Sequence, residues 1–518
     1  MKRVYISVAV GILVVCALGA AMVVPLQEKA IESSDFLKMF TEALVTVQSN
    51  YMEEADSQRL IFGAIRGMLG TLDPHTNFLD QRTFRSLQRN QEGSFFGIGV
   101  SIAMRGEELT IISPIEGSPA HHLGIQAGDV ITEIEGESTK GMDIETILSK
   151  LRGAKGTKVT ITISRRAYPE LLVFTIVRDE IKAPNILVSF MLSGGVGYIR
   201  FSRFAFSSAK DLEEALVELE EQGMKRLILD LRGNTGGFVD QAVKVADKFI
   251  HEGKIVEIRG RAMRTSQIFF ATEEGTQPYL PLIVMVNMGS ASASEIVAGA
   301  IQDHDRGLIV GETTWGKGLV QSVYRLSQET ALSLTTAKYY TPSGRSIQRD
   351  YTSSWEEYFF PSSETPPPKS EDVFTTVSGR KVYGGGGIVP DVAISSTLLS
   401  ELAQRIQSRN TFFNFATQYV NTHPDIDRTF EVASSVLEEF KEFLAKEEIA
   451  YSPDDFDAET EYIKMRIKQE VCAHKWGLAA GYQILVQADP SVQKALELFP
   501  QAEELLQQRE ATLQQHPS

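Results

Sequence analysis

Three short segments of this chain combine glycine with groups capable of nucleophilic or proton-transfer chemistry. Asp230-Leu231-Arg232-Gly233-Asn234-Thr235-Gly236-Gly237 follows an apolar run that reads as a buried strand. Asn287-Met288-Gly289-Ser290-Ala291-Ser292-Ala293-Ser294-Glu295 lies between a strand pattern and a helix pattern. Gly311-Glu312-Thr313-Thr314-Trp315-Gly316-Lys317-Gly318 follows another strand pattern. A serine just before a helix can attack a carbonyl while the N–H groups of the first turn, with the helix dipole behind them, face the oxyanion. Gly289, Ala291 and Ala293 are small enough for a substrate backbone to come close. The bland alternative is an N-cap, a common place for serine, which Ser290 or Ser294 fits. On the serines alone the cap is the better reading.

The third segment shifts that balance. A serine hydroxyl is a weak nucleophile and needs a base. Lysine can serve if burial keeps it neutral, because desolvation lowers an ammonium pKa by as much as ~3–5 units. Lys317, held between Gly316 and Gly318 after Trp315, fits such a tight turn against an apolar wall, although an exposed loop is the usual place for lysine. Gly311 to Lys317 approximates a phosphate-binding loop, but Gly318 and Leu319 stand where Ser or Thr should hold magnesium. A Ser–His–Asp triad would draw on His304, flanked by Asp303 and Asp305. That histidine ends the helix which Ser292 begins, about 12 residues on and hence roughly 18 Å along the axis, out of reach unless the helix breaks. His304 reads as a C-terminal cap or a surface residue. His75, His121 and His122 have no partner pattern, and with no HExxH or CxxC the sequence predicts no metal and no cofactor.

The elements that must position these segments alternate between strand and helix. Val196–Phe201 and Leu227–Leu231 read as strands, Ala209–Glu221 as a helix, with another helix ending at Ile250. Strands over Leu282–Asn287 and Leu308–Val310 enclose a helix over Ala293–Gln302. This order predicts a sheet covered by helices with its site at the strand C-terminal ends. Before it, residues 93–179 change to short strands and glycine turns: Phe96–Val100, Leu109–Ile112, Val130–Ile134, a helix over Ile144–Leu151, alternating Val159, Ile161 and Ile163, and Phe174–Val177. At the N-terminal side, Phe36, Met39, Phe40, Leu44 and Val47 recur at helical spacing, and a second helix pattern runs from Leu60 to Leu69 before a turn at Leu72-Asp73-Pro74-His75. Past Ser400 the stripes Val432, Val436, Leu437, Phe440, Leu444 and Ile463, Ile467, Val471 predict a helical domain or a contact between two copies. Thr352–Ser370, rich in Ser, Glu and Pro, reads as a surface insertion.

At 518 residues, 43% hydrophobic, the chain can bury several cores. Its formal charge of −16 argues against nucleic acid, whose binding needs a basic surface. Two cysteines, Cys16 and Cys472, are too few for a disulfide framework, and Cys472 reads as a small buried hydrophobe. Lys2 and Arg3 precede an uncharged stretch from Val4 to Leu26. Its apolar part, Val4–Val24, suits a helix spanning a ~30 Å hydrocarbon core, with the basic pair on the cytoplasmic side. Ala17, Gly19, Ala20 and Ala21 equally suit a cleaved signal peptide. Either alternative exports the rest of the chain, to remain membrane-anchored or to be released on the extracytoplasmic (periplasmic) side.

With these motifs in hand, a resemblance becomes specific. Asn287–Ile296 followed by Gly311–Gln321 resembles the active-site region of the carboxyl-terminal processing proteases, also called tail-specific proteases. Asp230–Gly237, Tyr339–Gln348 and Gly387-Ile388-Val389-Pro390-Asp391 resemble further stretches of that family, and the likeness spans about Phe36 to Val392. The resemblance implies Ser292 as nucleophile, Lys317 as general base and Gln321 as the residue that orients it. It places Ala293 with Gly236 or Gly237 in the oxyanion hole, and Glu295 and Thr314 in support. Trp315 stands where the family usually has Phe, a difference touching substrate fit more than chemistry. The 93–179 segment resembles a PDZ domain, with Gly97-Ile98-Gly99-Val100 as the carboxylate loop.

The implied architecture is α/β and α+β multidomain. A leader occupies 1–26, an N-terminal helical region 34–92, a PDZ domain 93–181, a ClpP/crotonase-like protease core 182–396 and a C-terminal helical region 397–518. The implied function is a serine endopeptidase that recognises C-terminal tails of extracytoplasmic proteins and cuts nearby through an acyl-enzyme. The other function class is a non-catalytic peptide-binding scaffold or chaperone on the same fold, whose mark, replacement of Ser292 or Lys317, is absent. The expected partner is a protein or peptide with a free C-terminus, and the helical ends offer candidate homodimer contacts.

Overall fold

The computed structural model describes residues 34–91, 94–115, 117–165, 170–182, 184–272, 279–327, 329–352, 373–395 and 399–515, with Tyr168, Gln277 and Tyr358. The leader, and the 352–370 insertion apart from Thr352 and Tyr358, lie outside the described residues. Among the described residues no helix is long and apolar enough to cross a membrane.

The chain divides into two compact units. In the smaller, helix α1 (34–50) is followed by α2 (Ser57–Gly70), which Asp56 caps by accepting the N–H of Gln58 at 2.8 Å. Asp73 then accepts from the N–H groups of His75 and Thr76, closing the predicted turn. Strand β1 (Asn77–Leu79) pairs antiparallel with residues Ala331–Ser333, and Phe62 of α2 packs on Phe78 with ring centroids 4.7 Å apart. The apolar stripe of α1 is present, but Phe36, Met39, Phe40 and Val47 are all exposed.

In the larger unit, helix α3 (Gln81–Gln91) leads into the β-rich domain. Strands β2 (Ser94–Gly97) and, at the far end, Asp179–Lys182 pair antiparallel and close its entry and exit. Between them run β3 (Val100–Arg105), β4 (Glu108–Pro114), the short helix α4 (Pro119–His122), β5 (Val130–Ile134), β6 (Glu137–Ser138), helix α5 (Ile144–Leu151), β7 (Lys158–Ser164) and β8 (Leu172–Val177). The sheet order is β3-β4-β5-β7-β8, with β6 on β5. Val159, Ile161 and Ile163 are fully buried with Ile111, Ile131 and Ile147, as their alternation requires.

The strand Asp179–Lys182 is β9; β10 (Ile186–Leu192) and β11 (Val196–Phe201) then open the main sheet, ordered β10-β11-β12-β15-β16-β21. Here β12 is Arg226–Asp230, β15 Leu282–Val286, β16 Leu308–Gly311 and β21 Val392–Ala393. All pairs from β11 onward are parallel. Side chains alternate cleanly between the faces. Leu227, Leu229, Val284 and Val286 pack on one side with helices α6 (Ser208–Glu221), α7 (Val239–Asp247) and α8 (Ala293–Asp303). Ile228, Ile283 and Met285 face the other side. A second antiparallel sheet carries β13 (Lys254–Gly260), β14 (Gln267–Phe270), β17 (Leu319–Arg325) and β18 (Ala331–Tyr340), with a hairpin β19 (Val373–Thr375) and β20 (Lys381–Tyr383) further on.

The C-terminal residues divide between two cores. Helices α9 (Glu401–Ser408), α10 (Thr411–Thr422), α11 (Ser434–Lys446), α12 (Pro453–Ala458) and α13 (Thr460–Trp476) bury both predicted stripes together. Cys472 sits there, 6% exposed, with its thiol pushed up by burial. Helices α14 (Leu478–Ala488), α15 (Pro490–Glu497) and α16 (Phe499–Gln515) instead cover the second face of the main sheet through Val486, Val492, Ala495 and Phe499. A sheet apolar on both faces needs two helical layers, and the chain supplies the second one from its far end.

Candidate active site

The three glycine-containing segments follow the C-terminal ends of β12, β15 and β16, which are neighbours in the sheet. The first is anchored by Asp230, which is fully buried and accepts from Tyr198 Oη (2.5 Å), Arg200 Nη1 (3.0 Å) and Arg232 Nη2 (2.7 Å). The two guanidiniums hold its carboxyl below the usual range against the pull of burial.

Asparagines then stitch the first loop to the second. Asn287 Oδ1 accepts from the N–H groups of Gly233 and Gly289. The carbonyl of Asn234 accepts from Ala291 N at 3.0 Å and from Ser294 Oγ at 2.8 Å. Ser290 Oγ donates to the Leu231 carbonyl at 2.8 Å. Ser290 and Ser294 therefore do not cap α8. The capping position belongs to Ser292, and the neighbouring hydroxyls, which face the loop rather than the first turn, are spent on joining the two loops.

Ser292 has φ +55°, a left-handed conformation that a residue with Cβ adopts only under constraint. The constraint is visible. Its N–H donates to Glu295 Oε2 at 2.8 Å, and its carbonyl accepts from Tyr339 Oη at 3.2 Å. Glu295 is itself fully buried and gathers the third segment: Thr314 Oγ1 (2.6 Å) and Gly316 N (2.7 Å) donate to Oε1, Lys317 N (2.9 Å) to Oε2. Burial pushes its carboxyl up while these donors pull it back. Thr314 Oγ1 also accepts from Ile388 N at 2.7 Å, which brings the Gly387-Ile388 motif to the site.

Lys317 Nζ donates to Gln321 Oε1 at 3.2 Å, the latter on strand β17. Gly318 N donates to Gln348 Oε1, so the lysine's flanking backbone is fixed on both sides. Trp315 sits edge-on to Tyr358, and the Arg349 guanidinium lies over its ring, 5.1 Å from the centroid.

The Gly236 backbone lies against the serine. A Cβ on Gly236 would be 2.7 Å from the Ala291 carbonyl oxygen, 2.8 Å from Ser292 Cβ and 2.9 Å from Ala293 N. Gly236 N–H donates to Asn234 Oδ1 at 2.9 Å, so of the two expected glycine donors it is already engaged, whereas Gly237 is exposed.

His304 caps the C-terminal end of α8, 7% exposed, with Nε2 2.7 Å from the Lys254 carbonyl oxygen. It is a cap, as expected, and not a surface residue; the strand-end carbonyl of Lys254 and Gly253 enclose it. His121 and His122 are exposed. Among the described residues no group of three or more His, Cys, Asp or Glu is arranged to hold a metal ion. The residues that motif reasoning left without a role are Asp230, Arg232, Asn234, Asn287 and Tyr339. All five stand in the quoted motifs, but nothing in the Tyr339–Gln348 stretch says that the Tyr339 hydroxyl, on a distant strand, reaches the Ser292 carbonyl.

In the β-rich domain, the Gly97–Val100 turn is drawn inward by its carbonyls: Ala120 N donates to the Ile98 oxygen at 2.9 Å, Ile115 N and Ser118 Oγ to that of Gly99, both at 2.9 Å. Gly99 has φ +80°, and a Cβ there would lie 2.2 Å from Ser118 Cβ. Strand β3, which the turn enters, lies at the edge of the sheet and, among the described residues, pairs with β4 alone.

This fold and site define a peptidase with an attached peptide-binding domain, and comparison with known proteins agrees. Peptidase family S41 matches residues 195–353 and the PDZ domain residues 110–165. The C-terminal helical domain of probable PDZ-proteases matches 402–455, and the N-terminal domain of the activating protease CtpB matches 20–83. The carboxy-terminal-processing protease of Bartonella bacilliformis is 40% identical over 316 residues, 60% of this chain and 72% of that one. The carboxy-terminal processing protease CtpA of Bacillus subtilis is 31% identical over 388 residues, 74% of this chain and 81% of that one. Among solved structures, the photosystem II D1 C-terminal processing protease is 28% identical with a TM-score of 0.37, covering 69% of this chain and 92% of that one. The chain belongs to the carboxy-terminal processing protease family. It is a serine-type peptidase that carries a PDZ domain.

Proposed function

We propose that the protein cleaves near the C-terminal tails of extracytoplasmic proteins by a Ser292–Lys317 dyad. The observation that carries this reading is the convergence of Ser292 N–H and Lys317 N–H on one oxygen of Glu295. That contact holds the helix-opening serine and the glycine-flanked lysine in one small volume.

In the proposed reaction, neutral Lys317 Nζ takes the proton of Ser292 Oγ as Oγ attacks the scissile carbonyl carbon. Negative charge then moves to the carbonyl oxygen, facing the N–H groups of Ala293 and Gly237 and the positive end of α8. Lysine returns the proton to the leaving amine, the C–N bond breaks, and an ester on Ser292 remains. Water attacks that ester with Lys317 again as base, releasing the new carboxyl terminus. Gln321, accepting from Nζ, orients the amine. The PDZ turn at Gly97–Val100 would hold the tail's carboxylate while the tail adds to the edge strand β3. Binding the tail raises the local concentration of the scissile segment, so a deep side-chain pocket is not required. The apolar leader supports export, as anchor or cleaved signal. The exposed stripe of α1 supports a contact between two copies.

The test compares wild type with Ser292→Ala and Lys317→Ala on a protein ending in an apolar tail. Both variants should lose cleavage, and wild type quenched in acid during turnover should carry the mass of the substrate's acyl fragment, the part on the N-terminal side of the cut, on the Ser292 peptide. Undiminished cleavage by Ser292→Ala ends the proposal.

A further inference from the structure

Asp489 joins α14 to α15, in the helical layer supplied by the end of the chain. Its Oδ2 lies 2.8 Å from Arg232 Nη1. Its Oδ1 accepts the N–H of Ser491 at 2.8 Å and caps α15. One carboxylate therefore serves a helix and, with its other oxygen, the loop that contacts Ser292.

The charges explain why a second acid is needed. Asp230, fully buried, faces two guanidiniums, Arg200 and Arg232. One carboxylate against two cations leaves an excess positive charge at the end of β12, and Asp489 supplies its counterpart. The side chains of Arg232 and Asp489 are 16% and 25% exposed, sheltered enough for the pair to escape most solvent screening. Arg232 is then held at every point: Nε and Nη2 by Asp230, Nη1 by Asp489, and its carbonyl by Arg200 Nη2 at 3.2 Å. Two residues later Asn234 grips the serine loop, and two residues beyond that Gly236 packs on Ser292.

We infer that Asp489 is a positioning residue for peptide-bond cleavage: through Arg232 it sets the loop that offers the Gly237 N–H to the oxyanion. It makes the chain's C-terminal layer part of the catalytic apparatus rather than only a cover for the sheet. The inference rests on the dyad reading above and deepens it.

The two jobs of Asp489 can be separated. Asparagine caps a helix as well as aspartate does, so Asp489→Asn keeps the cap and removes the ion pair, whereas Asp489→Ala removes both. The full-length protein is assayed for kcat, KM, melting temperature and the second-order rate of Ser292 labelling by a fluorophosphonate, with the labelled peptide identified by mass spectrometry. Asp489→Asn should lower kcat and the labelling rate roughly tenfold, with KM within error of wild type and a melting temperature that falls modestly but stays well above the assay temperature. Asp489→Glu should restore most of the rate. Unchanged kcat and labelling in Asp489→Asn overturns the inference, as does a rate loss that only follows a fall in melting temperature to that of the assay. If the fluorophosphonate labels a residue other than Ser292, the dyad reading fails; if it labels Ser292 at the wild-type rate in Asp489→Asn, only the role of Asp489 fails.

Discussion

Ser292 and Lys317 donate their backbone N–H groups to the same oxygen, Glu295 Oε2, at 2.8 and 2.9 Å. The carboxylate holds the backbones of the two proposed reacting residues without engaging their side chains. Its other oxygen takes Thr314 Oγ1 and Gly316 N, so a single buried anion organises the turn around the lysine.

Glu295→Gln tests that role with little change in shape. An amide nitrogen on the Oε2 side leaves the N–H groups of Ser292 and Lys317 without an acceptor; on the Oε1 side it strands that of Gly316. Burying an unmet donor costs about 1–3 kcal/mol. The variant should fold with a lower midpoint in urea and lose at least a hundredfold in kcat. Stability and kcat both within threefold of wild type would show that Glu295 does not organise the site.

Much of this site was legible because the chemistry lies in contiguous segments. Ser292 and Glu295 are three apart, the spacing at which a helix N-cap meets a side chain of its first turn, a pairing left unread by the expectation of a cap at Ser290 or Ser294. That Thr314, Gly316 and Lys317 share that carboxylate does not follow from spacing, because it depends on how β15 and β16 lie side by side. The expectation that Ser290 or Ser294 caps the helix failed for the same kind of reason: their partners, Leu231 and Asn234, come from another strand's loop. Periodicity located the helices beyond Ser400 but could not divide them, since a stripe of apolar residues does not say which surface it covers.

Gly236→Ala should remove activity by geometry alone. At φ +100° a Cβ is strained, and the atoms it would meet include the backbone at Ala291 and Ala293, which cannot turn aside as a flexible side chain would. The loop must retreat from Ser292, taking the proposed Gly237 donor with it. A loss of one such donor typically lowers kcat by ~10²–10³. Steady-state kinetics on a tail peptide would show kcat falling with KM little changed. Activity within fivefold of wild type would mean that this loop does not border the reacting carbonyl.

Gly99→Ala addresses the PDZ turn. The added methyl overlaps Ser118 Cβ, and φ +80° disfavours any residue with a side chain. The turn should shift and weaken binding of a fluorescent peptide with a free apolar C-terminus at least tenfold by anisotropy. The same peptide with an amidated end, lacking the carboxylate, should bind both proteins equally poorly. Equal affinity of wild type and variant for the free-acid peptide would place the carboxylate site elsewhere.

His304→Gln separates a structural histidine from a catalytic one. Burial holds the imidazole's pKa below its ordinary value of 6.5. The native state thus binds fewer protons here than the unfolded chain once pH falls below that value, and stability rises with pH across the window beneath it. The contribution is present above about 6.5 and lost as pH drops toward the depressed native value. Glutamine does not titrate, and its amide keeps a donor at comparable reach for the Lys254 carbonyl. Melting temperatures between pH 7 and 5 should therefore fall less steeply for the variant than for wild type. Peptide cleavage at pH 7.5 should stay within about twofold, because the residue lies at the opposite end of α8 from Ser292, roughly 18 Å away along the axis. A collapse of kcat with intact folding would bring the histidine back into the chemistry.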